Sequence, residues 1–174
     1  MTDEEFDACI ELILHNKKVG LHKIYISYST YIYTIIYDIL KNKEDAEDIT
    51  TEFFIKIWKI AEKYQTGRGH RAWLGRIAHN MAIDYLRGTK RHDSFDGIEE
   101  VEELTGAGFE TETIEKMSLK QAMSTLEDME QKIINMKILG QLTFQEIADI
   151  LKKPIGTVSW KYRKAIEKLR RCQL

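Results

Sequence analysis

The stretch that decides the fold runs from Leu142 to Val158 and reads LTFQEIADILKKPIGTV. Thr143 and Glu146 have the spacing of a capping box, in which a hydroxyl and a carboxylate satisfy free amides at a helix start. The helix that follows buries apolar residues at helical spacing: Phe144, Ile147, Ala148 and Leu151. Pro154 predicts a second helix after a short turn, because proline suits a first helical turn. In that turn, Lys152 costs about 1 kcal/mol relative to glycine if its φ is positive.

The second of these helices has an apolar stripe and a polar, basic face. Spacings of four, three and four place Val158, Tyr162, Ala165 and Leu169 inside. The residues left outside are Thr157, Ser159, Trp160, Lys161, Arg163 and Lys164. Two short helices joined by a tight turn predict a helix-turn-helix, whose second helix enters the major groove of DNA. The alternative is a helical hairpin with a merely solvated charged face, and Trp160 could contact the groove or pack on the preceding helix.

The net charge of −2 over 174 residues hides three segments of strong charge. Residues 66–91 carry six basic side chains against one acidic, and residues 152–171 carry eight against one. Between them, residues 92–115 carry nine acidic side chains and no Lys or Arg. This alternation indicates two surfaces that face polyanions, separated by an acidic segment. The weak total charge predicts that neither surface holds nucleic acid strongly alone.

Apolar periodicity, one proline and few turn signals predict an all-α fold of two small helical domains, at residues 1–91 and 116–174. Residues 92–115 show no sustained period and predict a flexible acidic linker. Asn42 is predicted to end the second helix in the left-handed conformation. The predicted helices cover about Glu5–Leu14, Leu21–Leu40, Glu44–Tyr64 and His70–Gly88 before the linker, and Met117–Thr125, Glu127–Leu139, Phe144–Lys152 and Pro154–Arg171 after it.

Two helices of the N-terminal half carry polar stripes beside their apolar ones. Asp45, Asp48 and Glu52 form an acidic stripe on the third helix. Carboxylates near a helix start also complement the helix dipole, so a purely structural role is the alternative. The fourth helix presents Arg76, Asn80, Ile83 and Arg87 opposite its buried side. Arginine neutralises phosphates and asparagine pairs with the edge of an unstacked base, although a solvated face would have the same pattern.

The C-terminal segment resembles domain 4 of bacterial RNA polymerase sigma factors, and is closest to the extracytoplasmic-function class. The resemblance rests on residues 142–151 and 154–158, LTFQEIADIL and PIGTV. Lys152 and Lys153 stand where a Gly-Ile pair is common in that family. Residues 160–162, WKY, replace a Ser-Arg-Leu-like triplet, so the resemblance does not imply a particular −35 sequence.

The N-terminal half resembles the same family independently. Residues 45–49, DAEDI, with Glu52, Phe54 and Trp58, resemble the helix that grips core RNA polymerase. Thr51 differs there from a frequent glutamine, and His70 from a frequent aromatic residue. The promoter-melting helix is matched by RAWL at 71–74, RIA at 76–78, Asn80, and AIDYLR at 82–87. The three motifs occur in the family's order and cover nearly the whole chain.

The resemblance implies a transcription initiation factor that binds core RNA polymerase and promoter DNA, with an anti-sigma factor as a further partner. It implies that Asp45, Asp48 and Glu52 dock on a basic coiled coil of the polymerase clamp. The loop 64–70 would help to pocket a flipped −10 base, and the linker would follow the polymerase's RNA-exit path. The −10 element would be bound by Arg68, Arg76, Asn80 and Arg87, and the −35 element by Thr157, Ser159, Trp160, Lys161, Arg163 and Lys164.

Other classes of function find little support in the sequence. No HExxH, GxxxxGK[ST] or GxSxG motif is present, so we expect neither enzyme activity nor a metal or cofactor. Two distant cysteines, an acidic N-terminus and the lack of a long apolar run predict a cytoplasmic protein without membrane insertion. The alternatives are a free-standing helix-turn-helix repressor, which would bind a duplex tightly without polymerase, and a decoy that occupies polymerase without reading DNA.

Overall fold

The computed structural model describes residues 1–93 and 121–172, and within these ranges the chain is helical and contains no strand. The predicted all-α class is confirmed. The predicted linker, 92–115, lies almost entirely outside the described residues. Of the predicted helix Met117–Thr125, residues 117–120 also lie outside them, and residues 121–124 are helical. The helices are α1 Asp3–Leu14, α2 Lys18–Leu40, α3 Lys43–Ile60, a 3-10 turn at Ala61–Lys63, α4 His70–Asp93, α5 Asp128–Ile138, α6 Phe144–Leu151 and α7 Ile155–Cys172.

The junction between α2 and α3 corrects the prediction for Asn42. Lys41, with φ of 55°, is the left-handed residue that ends α2, whereas Asn42 is extended, with φ of −122°. The Asn42 side chain accepts a hydrogen bond of 3.1 Å from the Asp45 amide, so it caps the start of α3. With only two residues between the helices, an amide side chain stabilises more as an N-cap than as a left-handed residue. Lysine takes the left-handed position instead, at a cost of about 1 kcal/mol.

Helices α1 to α4 pack around a core of completely buried side chains. Phe6 of α1, Ile32 of α2, Phe53 of α3 and Leu74 of α4 are all fully enclosed. Each helix therefore turns one stripe inward, and the polar stripes of α3 and α4 remain on the outside. This packing fixes where the candidate binding residues of the N-terminal half lie.

The helix-turn-helix is present as the sequence predicts. The Glu146 amide donates to Thr143 Oγ1 over 3.2 Å, and the Thr143 amide donates to Glu146 Oε2 over 2.7 Å, which completes the capping box of α6. Lys152 ends α6 with φ of 52°, the positive value that its place in the turn raised as a possibility. The Phe144 ring packs edge-on against Tyr162 of α7, 5.2 Å between centroids. The capping box and this aromatic contact both stabilise the motif, and Ile147 and Val158 on its inner side are fully buried.

The two halves of the chain share one core, centred on Tyr31 of α2. The Tyr31 side chain is buried, and its ring lies beside two glycines that leave room for it, Gly75 and Gly140. A Cβ on Gly140 would lie 2.6 Å from the Tyr31 ring, and a Cβ on Gly75 would lie 2.5 Å from its hydroxyl. The closest packing between the halves therefore depends on two residues that have no side chain.

Polar contacts surround this apolar centre. Asn135 of α5 donates a 2.8 Å hydrogen bond to the carboxylate of Asp38, which is buried on α2. Burial raises the pKa of Asp38, and the bond from Asn135 opposes that rise. Lys41 and Asp128 form an ion pair of 3.1 Å at the edge. A buried carboxylate is tolerated only with a partner, so the Asp38–Asn135 bond fixes how α5 sits on α2.

Replacing Gly140 by alanine is expected to destabilise the protein by about 1–3 kcal/mol, because the new methyl group meets the Tyr31 ring and the Met136 carbonyl. Urea denaturation followed by circular dichroism measures this change. The matched control is Gly88→Ala on α4, where an added Cβ meets nothing within 4 Å. That change is expected to leave stability unchanged or to raise it by up to about 1 kcal/mol. Equal midpoints for the two variants would contradict the tight packing at Tyr31.

Candidate functional site

The acidic edge of α3, formed by Asp48 and Glu52, projects into solvent. Both side chains are exposed, and neither forms an ion pair with any residue in the described parts of the chain. Ile55, one turn further along, is 51% exposed. Two free carboxylates beside an apolar residue make a surface suited to a basic partner.

Asp45 differs from the other two predicted polymerase-binding residues. It is half-buried, and it accepts a 2.8 Å hydrogen bond from the Tyr85 hydroxyl of α4. This bond raises the pKa of Tyr85, since the phenolate would face a carboxylate. Asp45 therefore joins α3 to α4 through this hydrogen bond. Its place in the acidic stripe did not predict that contact.

The predicted −10 residues lie on the outer side of α4 and on the loop before it. Arg76, Asn80 and Arg87 are exposed on α4, and Arg68 is exposed on the loop. Arg87 pairs with Asp84 at 3.7 Å, with both side chains largely in solvent. Such an exposed pair contributes little stability, so Arg87 can exchange this partner for a phosphate.

A small cleft, which we name the aromatic cleft, joins the loop to the start of α4. Arg68 and Arg76 both line it, and its volume is about 150 Å³. The rings of Tyr64 and Trp73 lie 5.1 Å apart between centroids. Trp73 packs on the core and also lines this cleft. The lining residues are Lys63, Tyr64, Gln65, Arg68, Ala72, Trp73 and Arg76.

His70 anchors the loop that forms one side of the aromatic cleft. Its ring is buried and stacks on Phe6, 4.5 Å between centroids. Nδ1 is hydrogen-bonded to the Asp3 carboxylate, and Nε2 to the Tyr28 hydroxyl. Burial lowers the pKa of His70 against the opposing effect of Asp3. The histidine thus fills an aromatic position in the core, and both of its nitrogens are satisfied there.

Helix α7 exposes the start of its polar face and covers part of the rest. Thr157, Trp160 and Arg163 are exposed and follow one another at helical spacing, and we name them the outer face of α7. Trp160 could contact the groove or pack on the preceding helix. Its side chain is 51% exposed, and packing on the preceding helix is not observed. The Ser159 hydroxyl is turned toward its own helix, where it donates to the Gly156 carbonyl over 3.1 Å.

Two of the predicted −35 residues, Lys161 and Lys164, lie on the flank of α7 and already have a partner. Both form ion pairs with Glu127, which caps the start of α5, and the Lys164 contact measures 3.4 Å. Their ammonium groups also lie over the Trp160 ring, at 5.7 and 5.2 Å from its centre. Sequence reasoning missed Glu127, because nothing in the local pattern links it to a helix more than 30 residues away.

The described parts of the chain hold no group of His, Cys, Asp and Glu side chains placed to bind a metal ion. Within the same residues, no helix has the length and apolar character needed to span a membrane.

An all-α fold that ends in a helix-turn-helix is typical of a DNA-binding protein. Residues 24–92 match the family model of Sigma-70 region 2, and residues 122–171 match that of Sigma-70 region 4. Since these matches cover more than half of the chain, it belongs to the sigma-70 family, in the extracytoplasmic-function (ECF) class. It is a transcription initiation factor that directs RNA polymerase to promoters.

Individual relatives agree with the family match. The ECF RNA polymerase sigma factor SigW of Bacillus subtilis is 30% identical over 157 residues, which cover 83% of each chain. SigK of Mycobacterium bovis, another ECF sigma factor, is 22% identical, covering 97% of this chain and 93% of its own.

Solved structures share the fold. The sigma factor RpoE of Bartonella quintana, in complex with the anti-sigma factor NepR, superimposes with a TM-score of 0.65 at 17% identity, covering 87% of this chain and 95% of its own. CnrH, in complex with the cytosolic domain of CnrY, gives a TM-score of 0.61 at 16% identity and covers 96% of each chain. The family and the fold class predicted from the sequence are therefore confirmed.

Proposed function

We propose that this chain binds core RNA polymerase through the acidic edge of α3, captures the melted −10 element on α4, and reads the −35 element with α7. Residues 1–91 and 116–174 would be the two working domains. The observation that carries this proposal is the segregation of charge: free carboxylates on α3 face away from the core, while Arg76 and Arg87 are exposed on α4 and Arg163 on the outer face of α7.

The acidic edge suits a basic protein partner better than a structural task. Asp48 and Glu52 lie beyond the first turn of α3, where the helix dipole that favours carboxylates has faded. They are exposed, and no side chain in the described residues neutralises them. A partner surface with lysines or arginines could form ion pairs with both carboxylates. We assign Asp45 a supporting task, because its carboxylate is held by Tyr85.

The aromatic cleft suits one unstacked base. Tyr64 and Trp73 offer ring surface on which a base can stack, and stacking contributes about 1–3 kcal/mol per base. Arg68 and Arg76, which also line the cleft, would neutralise the neighbouring phosphates. Asn80, one turn beyond Arg76 on the same exposed side, can pair with a polar base edge. Extrusion of a base costs a few kcal/mol, which this capture would supply.

The outer face of α7 suits the major groove. Thr157, Trp160 and Arg163 are exposed at the N-terminal half of the helix, the part that contacts base edges in helix-turn-helix proteins. Arg163 can bind the edge of a guanine, and a good bidentate pair contributes about 1–3 kcal/mol of discrimination. Lys161 and Lys164 on the flank are suited to the phosphates on one side of the groove.

We extend two properties of relatives to this chain as part of the proposal. The structure of RpoE contains the anti-sigma factor NepR, and that of CnrH contains the cytosolic domain of CnrY. We propose that an anti-sigma factor also regulates this chain, which would work in the cytoplasm. The acidic segment 92–115 would follow the polymerase's RNA-exit path as a nucleic-acid mimic, because nine acidic side chains repel nucleic acid and attract a basic channel.

Run-off transcription with core polymerase tests the function. Pooled genomic fragments serve as template, and the 5′ ends of the transcripts are sequenced. The proposal predicts new, defined start sites that appear only when the chain and the core enzyme are both present. Tight duplex binding without polymerase and no new transcript would indicate a repressor instead. Reduced transcription from other sigma factors, with no new start site, would indicate a decoy.

A further inference from the structure

The three lysines on the inner flank of α7 converge on one carboxylate, that of Glu127. Lys161 forms a hydrogen-bonded ion pair with Glu127, Lys164 lies at 3.4 Å and Lys168 at 3.7 Å. Lys168 Nζ also donates a 2.7 Å hydrogen bond to the carboxylate of Glu130, which is fully buried. Lys168 therefore has a structural partner of its own, whereas the described contacts of Lys161 and Lys164 with a carboxylate are with Glu127 alone.

Glu127 is charged whenever the protein meets DNA. The bonds from Lys161 and Lys164 lower the pKa of its carboxyl to about 2. The side chain is 49% exposed, so water and dissolved ions reach it. An exposed ion pair of this kind contributes little to stability and exchanges partners easily. Glu127 is thus a fixed negative charge in the place that a DNA phosphate would take beside the same two lysines.

We propose that Glu127 is an internal substitute for phosphate that occupies Lys161 and Lys164, so that a DNA duplex must displace it to gain them. This inference rests on the proposed function of α7. Phosphate contacts carry no sequence information directly, whereas base contacts do. By weakening the phosphate contacts, Glu127 lowers the affinity for duplexes of every sequence. Glu127 does not pair with the outer face of α7. A larger share of the binding free energy therefore comes from contacts with the bases.

The test compares variants of the full chain that lose one negative charge at different places. Glu127→Gln removes the charge that pairs with the lysines, and Glu127→Asn does the same with a residue that is a good helix N-cap. Glu167→Gln is the matched control: Glu167 is exposed on α7 itself and forms no ion pair within the described residues. The probe is a short, fluorescently labelled DNA duplex of mixed sequence at low salt, and fluorescence anisotropy gives its Kd.

We expect both Glu127 variants to bind the duplex about three- to tenfold more tightly than the wild type, the size of one or two exposed ion pairs. Glu167→Gln should change the Kd less than twofold. Thermal unfolding of each variant shows whether it is folded. If Glu127→Gln loses stability, the comparison is made with Glu127→Asn instead. Equal tightening by Glu127→Gln and Glu167→Gln would mean that only net charge matters, and the inference would be wrong.

A further variant, Lys161→Ala with Lys164→Ala, separates failure of the inference from failure of the proposed function. If it weakens binding while the Glu127 variants bind like the wild type, the lysines contact DNA but Glu127 does not compete for them. The proposed function then stands and the inference fails. If it leaves the Kd unchanged, the lysines do not contact the duplex, and both the inference and this part of the proposed function are overturned.

Discussion

Replacing Asp48 and Glu52 by lysine is expected to abolish co-elution of this chain with core RNA polymerase. The double change reverses both charges of the acidic edge, so an attraction to a basic partner becomes a repulsion. Removing one partner of an interfacial charge pair costs about 2–5 kcal/mol, and reversal at two positions should lower the affinity at least a hundredfold. Both side chains are exposed and have no partner in the described structure, so the fold should not change. Size-exclusion chromatography with core enzyme measures the complex.

The matched control for this experiment is Glu11→Lys with Glu62→Lys. It changes the net charge by the same amount at two exposed positions, on α1 and on the 3-10 turn. This control should co-elute like the wild type. Unchanged co-elution of the Asp48 and Glu52 variant, or an equal loss in both variants, would contradict the assignment of the docking surface.

A second large effect is expected when the two basic surfaces are disabled separately. Arg76→Ala with Asn80→Ala should leave binding to the closed promoter intact and impair strand opening, because the proposed function assigns these residues to an unstacked base and not to a groove. With base contacts worth about 1–3 kcal/mol each, opening should fall by at least tenfold. The permanganate reactivity of −10 thymines in the polymerase–promoter complex measures this step.

The variant Lys161→Ala with Arg163→Ala should fail at the other step. It should weaken binding to the closed promoter by about 1–3 kcal/mol and initiate normally on a template with a pre-opened bubble. Each double variant thus controls for the other. If both lost closed-promoter binding equally and neither impaired opening, the basic surface of α4 would be only a phosphate clamp.

Features that depend on neighbouring residues were predictable from the sequence. The capping box of Thr143 and Glu146 follows from chemistry within one turn, and it is observed. The φ of Lys152 was left conditional, and the structure shows it to be positive. The ends of the longer helices were less predictable. The third helix was expected to reach Tyr64, but α3 ends at Ile60 and a 3-10 turn follows. Asn42 was misassigned because the same side chain suits a left-handed residue and an N-cap.

Contacts between distant residues were not predictable. In the sequence, Asp45 and Asp48 belong to the same acidic stripe. Only the packing of α4 shows that Tyr85 donates a hydrogen bond to Asp45 and not to Asp48. Lys161 is predicted to contact the −35 element, and its pairing with Glu127 depends on how α5 meets α7. The assignment of individual residues to polymerase, −10 or −35 contacts therefore stays a prediction, whereas the class of protein is established by the family match.

The place of Tyr31 between the two glycines also bears on how the chain unfolds. Helix α2 contributes this ring to a cluster that contains Ile150 of α6 as well as Ile32 and Ile35 of α2 itself. Melting of either half would leave the other with an exposed apolar surface and with Asp38 separated from Asn135. The described parts of the chain are thus thermodynamically coupled. A single sharp thermal transition, rather than one for each half, is the behaviour that such a shared cluster imposes.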